Sequence, residues 1–599
     1  MHDVMRRTGR ALAHLALFCL LTLALLGTAA SASGQAGEEK AIRSAIGSYL
    51  RSYQEKAMLD QDRDLRSGTV ADPGLHLGAA DQSFVLANGK SAALSELREN
   101  IIFAEKKAVF YAGMRQLQGI SREGLRLRYA LEELEMKANA CRASVRETAE
   151  FRYTDSDRPS VYETYYTVDL LKLEGRWLVA DVTDGTRFDK LYKKYGASFN
   201  ERANLSQFAK QLAQENCTVH FPDPGSGGGN RIPYSGKNAA AYAYTYSRRH
   251  MDETRADVYN AQFMGYAGEG GDCQNFASQC MWAGFGGSQT SAAIRGRSLP
   301  MDTAGTNQWF GRAAGGGALN YSWLSCQTFR QYLTGSRDGI GQSGSNAAGD
   351  AGMYATVLDV GTASALTGVA PQELVGATAH VEGSGGSYSH AIVLTAATGN
   401  SRSQIWFCGH TKDITHVKLG DYYIWPMLVY IPRYLRTGAS QADPIQTDRL
   451  QPVEAGSTGL LYARRNAVQY RMSITVTPPG GTASQVAGAE HNDNCWTDYL
   501  FSAPGLYRVD CRAQASEKSQ ETAVTYYVRC YAPETDGEDA GLPSGSGAED
   551  PEMPGWLRQP EDVPDEPAPA EDPSQPPEEE PEDMPGPPSD DEIPGWLLQ

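Results

Sequence analysis

The sequence predicts a multidomain α+β protein: an N-terminal α+β module, a central α+β domain, a β-sandwich, and a tail that does not fold. Three observations carry this expectation. Near the N-terminus, Ile42, Ile46, Tyr49, Leu50 and Tyr53 recur at helical spacing and are followed by strand-like runs. A glycine-rich stretch, Phe221 to Asn230, then interrupts the pattern. From about residue 445 to 531, apolar and polar residues alternate with period two, as half-buried strands do. With 599 residues the chain is also too long for a single core.

Residues 1–32 read as a secretory signal peptide. Arg6, Arg7 and Arg10 precede an apolar run from Leu15 to Leu26, and Ala30-Ser31-Ala32 supplies small residues for cleavage. The run is short for a bilayer span of ~20 residues, and no later stretch is apolar enough for one. The expected localisation is therefore secreted, extracellular or cell-wall associated, with no membrane span in the mature protein. Residues 38–222 form the first α+β module, with a turn at Glu174-Gly175 between two strands. A helix followed by strands ending in KLEGRWLVADV resembles the cystatin-like or nuclear-transport-factor-like fold. Residues 223–231 are a linker, 232–435 the central domain, 445–531 the β domain, and 533–599 the tail.

In the β domain, Tyr470, Met472, Ile474 and Val476 alternate with polar neighbours. Tyr507, Val509, Cys511 and Ala513 do the same, as do Val524, Tyr526, Val528 and Cys530, which suggests an immunoglobulin-like sandwich. Cys511 and Cys530 are the preferred disulfide pair there, with Cys495 competing for either. The tail carries 21 Asp plus Glu against Arg558 alone, so the body of this −18 chain is nearly neutral and carries no basic footprint for nucleic acid. Charge repulsion and 16 prolines keep the tail from burying enough surface to order itself. Two PGWL copies, Pro554 to Leu557 and Pro594 to Leu597, are candidate docking peptides for a protein partner.

The chemistry concentrates in Gly270-Gly271-Asp272-Cys273-Gln274-Asn275-Phe276. Glycines and Asp272 open a helix whose apolar face is Phe276, Ala277, Cys280 and Met281, so Cys273 falls in its first turn. The helix dipole and free N–H groups there favour thiolate and can bind an oxyanion. Nine cysteines remain after the leader, an odd number that leaves at least one thiol unpaired. A cysteine nucleophile needs a base, and His390, at the start of the strand Ala391 to Leu394, is best placed among the histidines. If the following hairpin is centred on Asn400, His410 faces His390 and orients it, with Thr411 and Asp413 as alternatives should the register slip. His380, His390, His410 and His416 lack metal-site spacing, so no metal is expected and no cofactor is implied.

GGDCQNFASQCMWAG resembles the GGDCxNFxSQ signature of the bacterial putative amidase domain, itself similar to NlpC-type and CHAP papain-like cysteine peptidases. AAAYAYTYS (Ala239 to Ser247), Trp309-Phe310, NYSWLSCQTFRQYL (Asn320 to Leu333) and SYSHAIVLT (Ser387 to Thr395) match further family segments in order. The chain departs from the family in lacking Asp before the histidine strand, and residues Gly339 to Gln372 look like an insertion. The resemblance implies a secreted cysteine amidohydrolase acting on peptidoglycan stem peptides through a thioester. Cys273, His390 and His410 would be catalytic, and Asp272, Gln274, Asn275, Trp309 and Trp323 would line the substrate. The alternatives are a non-catalytic extracellular or wall-binding protein on the same scaffold, and acyl transfer to an amine in place of water.

Overall fold

The computed structural model describes residues 36–54, 57, 83–184, 217–220, 230–266, 272–296, 299, 309–317, 319–334, 352–383, 387–422, 425–437 and 444–533. The expected leader, most of the expected linker and the tail beyond Pro533 lie outside these. The described chain is mixed α+β and contains three sheets. Among the described residues no helix is long and apolar enough to cross a membrane.

The N-terminal module packs helices α1 (36–54) and α2 (Leu94–Leu117) on a sheet. Its strands are β3 (Arg122–Lys137), β4 (Ala140–Tyr153), β5 (Pro159–Leu173) and β6 (Arg176–Thr183), preceded by a small hairpin of β1 (Ser83–Val85) and β2 (Ser91–Ala93). The helical row Ile42, Ile46, Tyr49, Leu50 and Tyr53 is buried against Cys141, Ala143 and Val145 of β4 and Val168 and Leu170 of β5. Each large aliphatic side chain buried this way contributes about 1.5–3 kcal/mol. Between β5 and β6, Leu173 pairs with Arg176, and the two turn residues Glu174 and Gly175 both have positive φ, 48° and 77°. That is the hairpin turn whose twist matches the strands, and the glycine takes its second position without strain.

The large sheet does not stop at the module's edge. Strand β5 pairs with β13 (Ile414–Lys418) through Tyr162–Ile414 and Val161–Thr415. The order β3-β4-β5-β13-β12-β11-β10-β14-β9-β7 thus runs across the expected boundary near Pro222 as one sheet. Its remaining strands are β7 (Thr218–His220), β8 (Asn230–Pro233), β9 (Gly352–Gly361), β10 (Thr378–Glu382), β11 (Tyr388–Ala397), β12 (Ile405–Gly409) and β14 (Met427–Thr437). The segment that resembled an insertion contains β9, which pairs with β14 over most of its length.

One face of the central sheet is covered by α3 (Gly236–Thr245), α5 (Asp272–Gly284) and α6 (Cys326–Thr334), with the short α4 (Arg255–Val258) beside them. Trp282, Trp309 and Trp323 fill this layer and are essentially without solvent contact. The opposite face buries Ile392, Leu394, Phe407 and Val429 against Ile120, Phe151 and Tyr153 of the N-terminal module.

The third sheet holds β15 (Gln446–Asp448), β16 (Val453–Glu454), β17 (Ser457–Thr477), β18 (Ser484–Phe501), β19 (Gly505–Gln514) and β20 (Thr522–Tyr531). Met472, Ile474, Val476, Tyr507, Val509, Cys511, Ala513, Val524, Tyr526, Val528 and Cys530 are all buried in its core, as their alternation requires, whereas Tyr470 is only half-buried. The preferred Cys511–Cys530 disulfide is ruled out by register. Cys511 lies opposite Val524 and Cys530 opposite Gly505, a separation of roughly 20 Å along the strands. Every cysteine among the described residues is a free thiol.

The buried row of β4 contains a charge-bearing group. Glu147 follows Cys141, Ala143 and Val145 on the same face and is fully buried, with Gln54 Nε2 and Tyr166 Oη donating to its Oε1. Burial pushes its carboxyl up to about 8. The folded state therefore holds this proton more tightly than the unfolded chain, whose carboxyl titrates at 4.5. The contribution is complete below that value and is lost as pH rises through the folded one. Chemical denaturation from pH 4.5 to 8 should show falling stability in the wild type, and Glu147→Gln should flatten the slope. Parallel curves for the two proteins would refute a neutral buried Glu147.

Candidate active site

Helix α5 forms where the sequence places it, and all of its residues are buried. Asp272 is its first residue and Cys273 its second, so the thiol lies among N–H groups that have no partner within the helix. Cys273 is 4% exposed. Three groups favour its thiolate: the Cys326 thiol, the His390 side chain and the backbone N–H of Ala391. The hydrogen bond from Cys326 is the largest influence and favours thiolate. Burial opposes it, and the hydrogen bond and charge of His390 reinforce it, so the Cys273 thiol is held well below its usual range. Cys326, the first residue of α6, is driven the other way, chiefly by its bond to Cys273 and then by burial, and stays a protonated donor.

His390 sits at the partly exposed start of β11, and its Nε2 has no hydrogen-bond partner among the described residues. The nearby Gly409 matters here. A Cβ at that position would meet Ile392 Cγ2 at 3.3 Å and lie 3.9 Å from His390 Nε2.

The hairpin after β11 exists, but its register differs from the expected one. Val393 pairs with Cys408 and Leu394 with Phe407, and then a bulge shifts the pairing to Ala396 with Trp406. The 3-10 turn Arg402–Gln404 lengthens the loop, so the strands are offset by one residue from a hairpin centred on Asn400. A one-residue offset exchanges the two faces. His410 accordingly does not face His390. Its Nδ1 bonds Asp272 Oδ2 at 2.9 Å and its Nε2 bonds the Tyr246 carbonyl at 2.9 Å. Both ring nitrogens are thus committed to groups other than His390. The ring is clamped between Phe276, with centroids 3.7 Å apart and planes 15° apart, and Tyr259, at 4.0 Å and 5°. His410 holds Asp272, the residue before Cys273, and not His390.

Asp272 is tied on every side. Burial, the largest influence, would raise its carboxyl; His410, Asn275 and the Tyr266 N–H outweigh it and keep the group below its usual value. Asp413, the second alternative orienter, is committed elsewhere, paired with Arg248 at 3.1 Å and Arg255 at 3.2 Å and accepting from Tyr259 Oη at 2.8 Å. Thr411, the remaining alternative, has φ 80°, a left-handed conformation that is costly for a β-branched residue, and its hydroxyl has no partner among the described residues.

The residues expected to line the substrate form the wall behind the nucleophile. Gln274 gives its amide N–H to Ser278 Oγ at 3.1 Å and bonds His380 Nε2 through its Oε1 at 2.7 Å. Asn275 donates to Asp272 Oδ1 and the Met264 carbonyl, and accepts from Trp323 Nε1 at 2.8 Å. Trp309 Nε1 donates to Ser278 Oγ at 3.2 Å. With their polar atoms satisfied and their surfaces buried, these residues set the position and stiffness of α5.

The four histidines considered for a metal go to separate places. His416 bonds Tyr244 Oη at 2.7 Å and Ser156 Oγ at 2.8 Å, and His380 lies under Phe329 and Tyr430. Among the described residues no group of three His, Cys, Asp or Glu is placed to hold a metal ion. Cys326, Tyr246 and Tyr259 do not stand out in the sequence. A helix opening at Cys326 is the one signal that could have drawn attention to the first of them.

Two measurements follow from this geometry. Iodoacetamide should modify Cys273 ahead of every other thiol in the folded protein, with a rate–pH curve whose midpoint lies below the ordinary thiol value of 9.0. Cys326→Ala should move that midpoint upward by removing the thiolate's main donor; an unmoved curve would show that Cys326 does not act on it.

Residues 233–428, about a third of the chain, match the family model of the putative amidase domain. The match spans Cys273, Cys326, His390 and His410. No curated protein matches the chain. For this segment the match supports an amidase-like family, and with it amide-bond hydrolysis.

Proposed function

We propose that the protein is a secreted cysteine amidohydrolase that cleaves an amide or peptide bond in peptidoglycan stem peptides through a thioester intermediate. The observation that carries this reading is Cys273 in the first turn of α5, with Cys326 and His390 both favouring its thiolate. The Cys273 thiolate attacks the carbonyl carbon, and the displaced electron pair collects on oxygen beside the N–H groups at the start of α5. As the C–N bond breaks, His390 delivers a proton to the leaving amine, and an acyl-thioester remains on Cys273. His390 then takes a proton from water, which attacks the thioester and releases the acid and the thiolate. His410 takes no proton in this scheme; it fixes Asp272 and so the start of the helix.

The reading is tested on isolated cell wall, with released amines and fragments identified by mass spectrometry. Wild type should release new amino groups, and Cys273→Ala and His390→Ala should release none. His410→Ala should retain turnover, reduced about a hundredfold, the scale of loss when a reacting group is misplaced by about 1 Å. Equal release by wild type and Cys273→Ala would refute the nucleophile. No release by either protein, with specific retention on the wall, would favour a binding module on this scaffold. Products carrying an added amine in place of water would point to acyl transfer.

A further inference from the structure

The buried charges at the junction of β5 and β13 lie outside the catalytic scheme, yet they lead into it. Glu163, on β5 of the N-terminal module, has no solvent exposure. It meets Arg146 at 3.3 Å, Arg248 at 3.0 Å and Arg255 at 3.0 Å. Arg248 and Arg255 also grip Asp413, which follows the His410 loop, at 3.1 and 3.2 Å. The two backbones are joined directly: Glu163 N donates to the Asp413 carbonyl at 3.0 Å, and Asp413 N donates to Glu163 Oε2 at 3.3 Å. Arg255 additionally donates to the Thr411 carbonyl at 3.1 Å.

From Asp413 the path reaches the nucleophile in three contacts. Tyr259 donates its hydroxyl to Asp413 at 2.8 Å and stacks on His410 at 4.0 Å. His410 bonds Asp272 at 2.9 Å, and Asp272 precedes Cys273 at the start of α5. We propose that Glu163 is a positioning residue for Cys273, so that the N-terminal module completes the active site of the central domain. This rests on the cysteine amidohydrolase reading above. The charge balance gives the physical reason. Glu163 shares Arg146 with Glu132, and Arg248 and Arg255 with Asp413. Neutralising Glu163 leaves Asp413 as the one carboxylate of the pair facing Arg248 and Arg255, which draws it off Tyr259 and loosens the stack that clamps His410.

The test uses the full chain carrying Glu163→Gln, which keeps the side chain's shape and removes its charge. In folded protein, checked by circular dichroism, kcat for amine release from cell wall should fall at least tenfold with KM unchanged. Iodoacetamide alkylation of Cys273 at pH 7 should slow by a similar factor. Tyr259→Phe removes only one link of the path and keeps the stacking ring; it should reproduce the change in smaller measure even if Glu163→Gln folds poorly. Combined with His410→Asn, Glu163→Gln should add little further loss, because residues on one path couple. Glu521→Gln, which breaks the exposed Arg512–Glu521 pair of the β domain, should change none of these values. A lower melting temperature with normal kcat and alkylation, or strictly additive losses with His410→Asn, would overturn the positioning role while leaving Cys273 as nucleophile. Undiminished amine release by Cys273→Ala would instead overturn the amidohydrolase reading and this proposal with it.

Discussion

The contact on which the site depends is the hydrogen-bonded pair of Asp272 and His410. It joins the first residue of α5 to the loop that follows β12, and so fixes the helix start against the sheet. Everything near the nucleophile reads off that attachment. Cys273 is placed because Asp272 is, and Ala391 and His390 are reached because α5 lies along the start of β11. The pair is buried, and isolated buried charges are expensive. Here the cost is offset by further bonds on both members, to Asn275 and Tyr266 on one side and to the Tyr246 carbonyl on the other. Stacking of Phe276 and Tyr259 on the two faces of His410 fixes the ring's orientation.

How much of this is legible in the sequence depends on the range of the interaction. The nucleophile's setting is local. Asp272 precedes an apolar helical face, and a helix start at Cys273 follows from spacing alone. The strand and hairpin pattern of residues 388–409 is local too. Register is not, because it depends on how loop residues count toward the turn. Arg402–Gln404 form a 3-10 turn, and a bulge follows Leu394; neither leaves a pattern in composition. One residue of offset was enough to turn His410 from the base to the helix start. The same limit applies to Cys511 and Cys530, whose faces are legible and whose separation along the strands is not.

The least legible part is the longest in range. Glu163 and Asp413 are 250 residues apart in the chain. Taken alone, the strand around Glu163 shows no catalytic constellation, and the run Val161 to Asp169 reads as ordinary sheet. Only pairing of β5 with β13 makes the two parts one sheet and brings a carboxylate of the first module beside the loop of the second.

That pairing also explains why charges should be buried at such a junction. A buried ion pair adds little net stability, since desolvation consumes most of the attraction. Its value lies in selecting one arrangement among several. The β5–β13 ladder is defined by only two residue pairs, Tyr162–Ile414 and Val161–Thr415, too short for hydrogen bonds alone to exclude a slipped register. A slip of one residue would carry Glu163 to the other face and leave Arg248 and Arg255 with Asp413 alone. Such a state leaves two guanidinium groups, one of them buried, to share a single carboxylate and is disfavoured. The ionic cluster thus converts a weak ladder into a specific one, and the register it selects is the one in which Tyr259 and His410 meet. Stability and local geometry separate here: apolar burial on both faces of the sheet stabilises the fold, and a few buried charges lie along the path of contacts that leads to the start of α5.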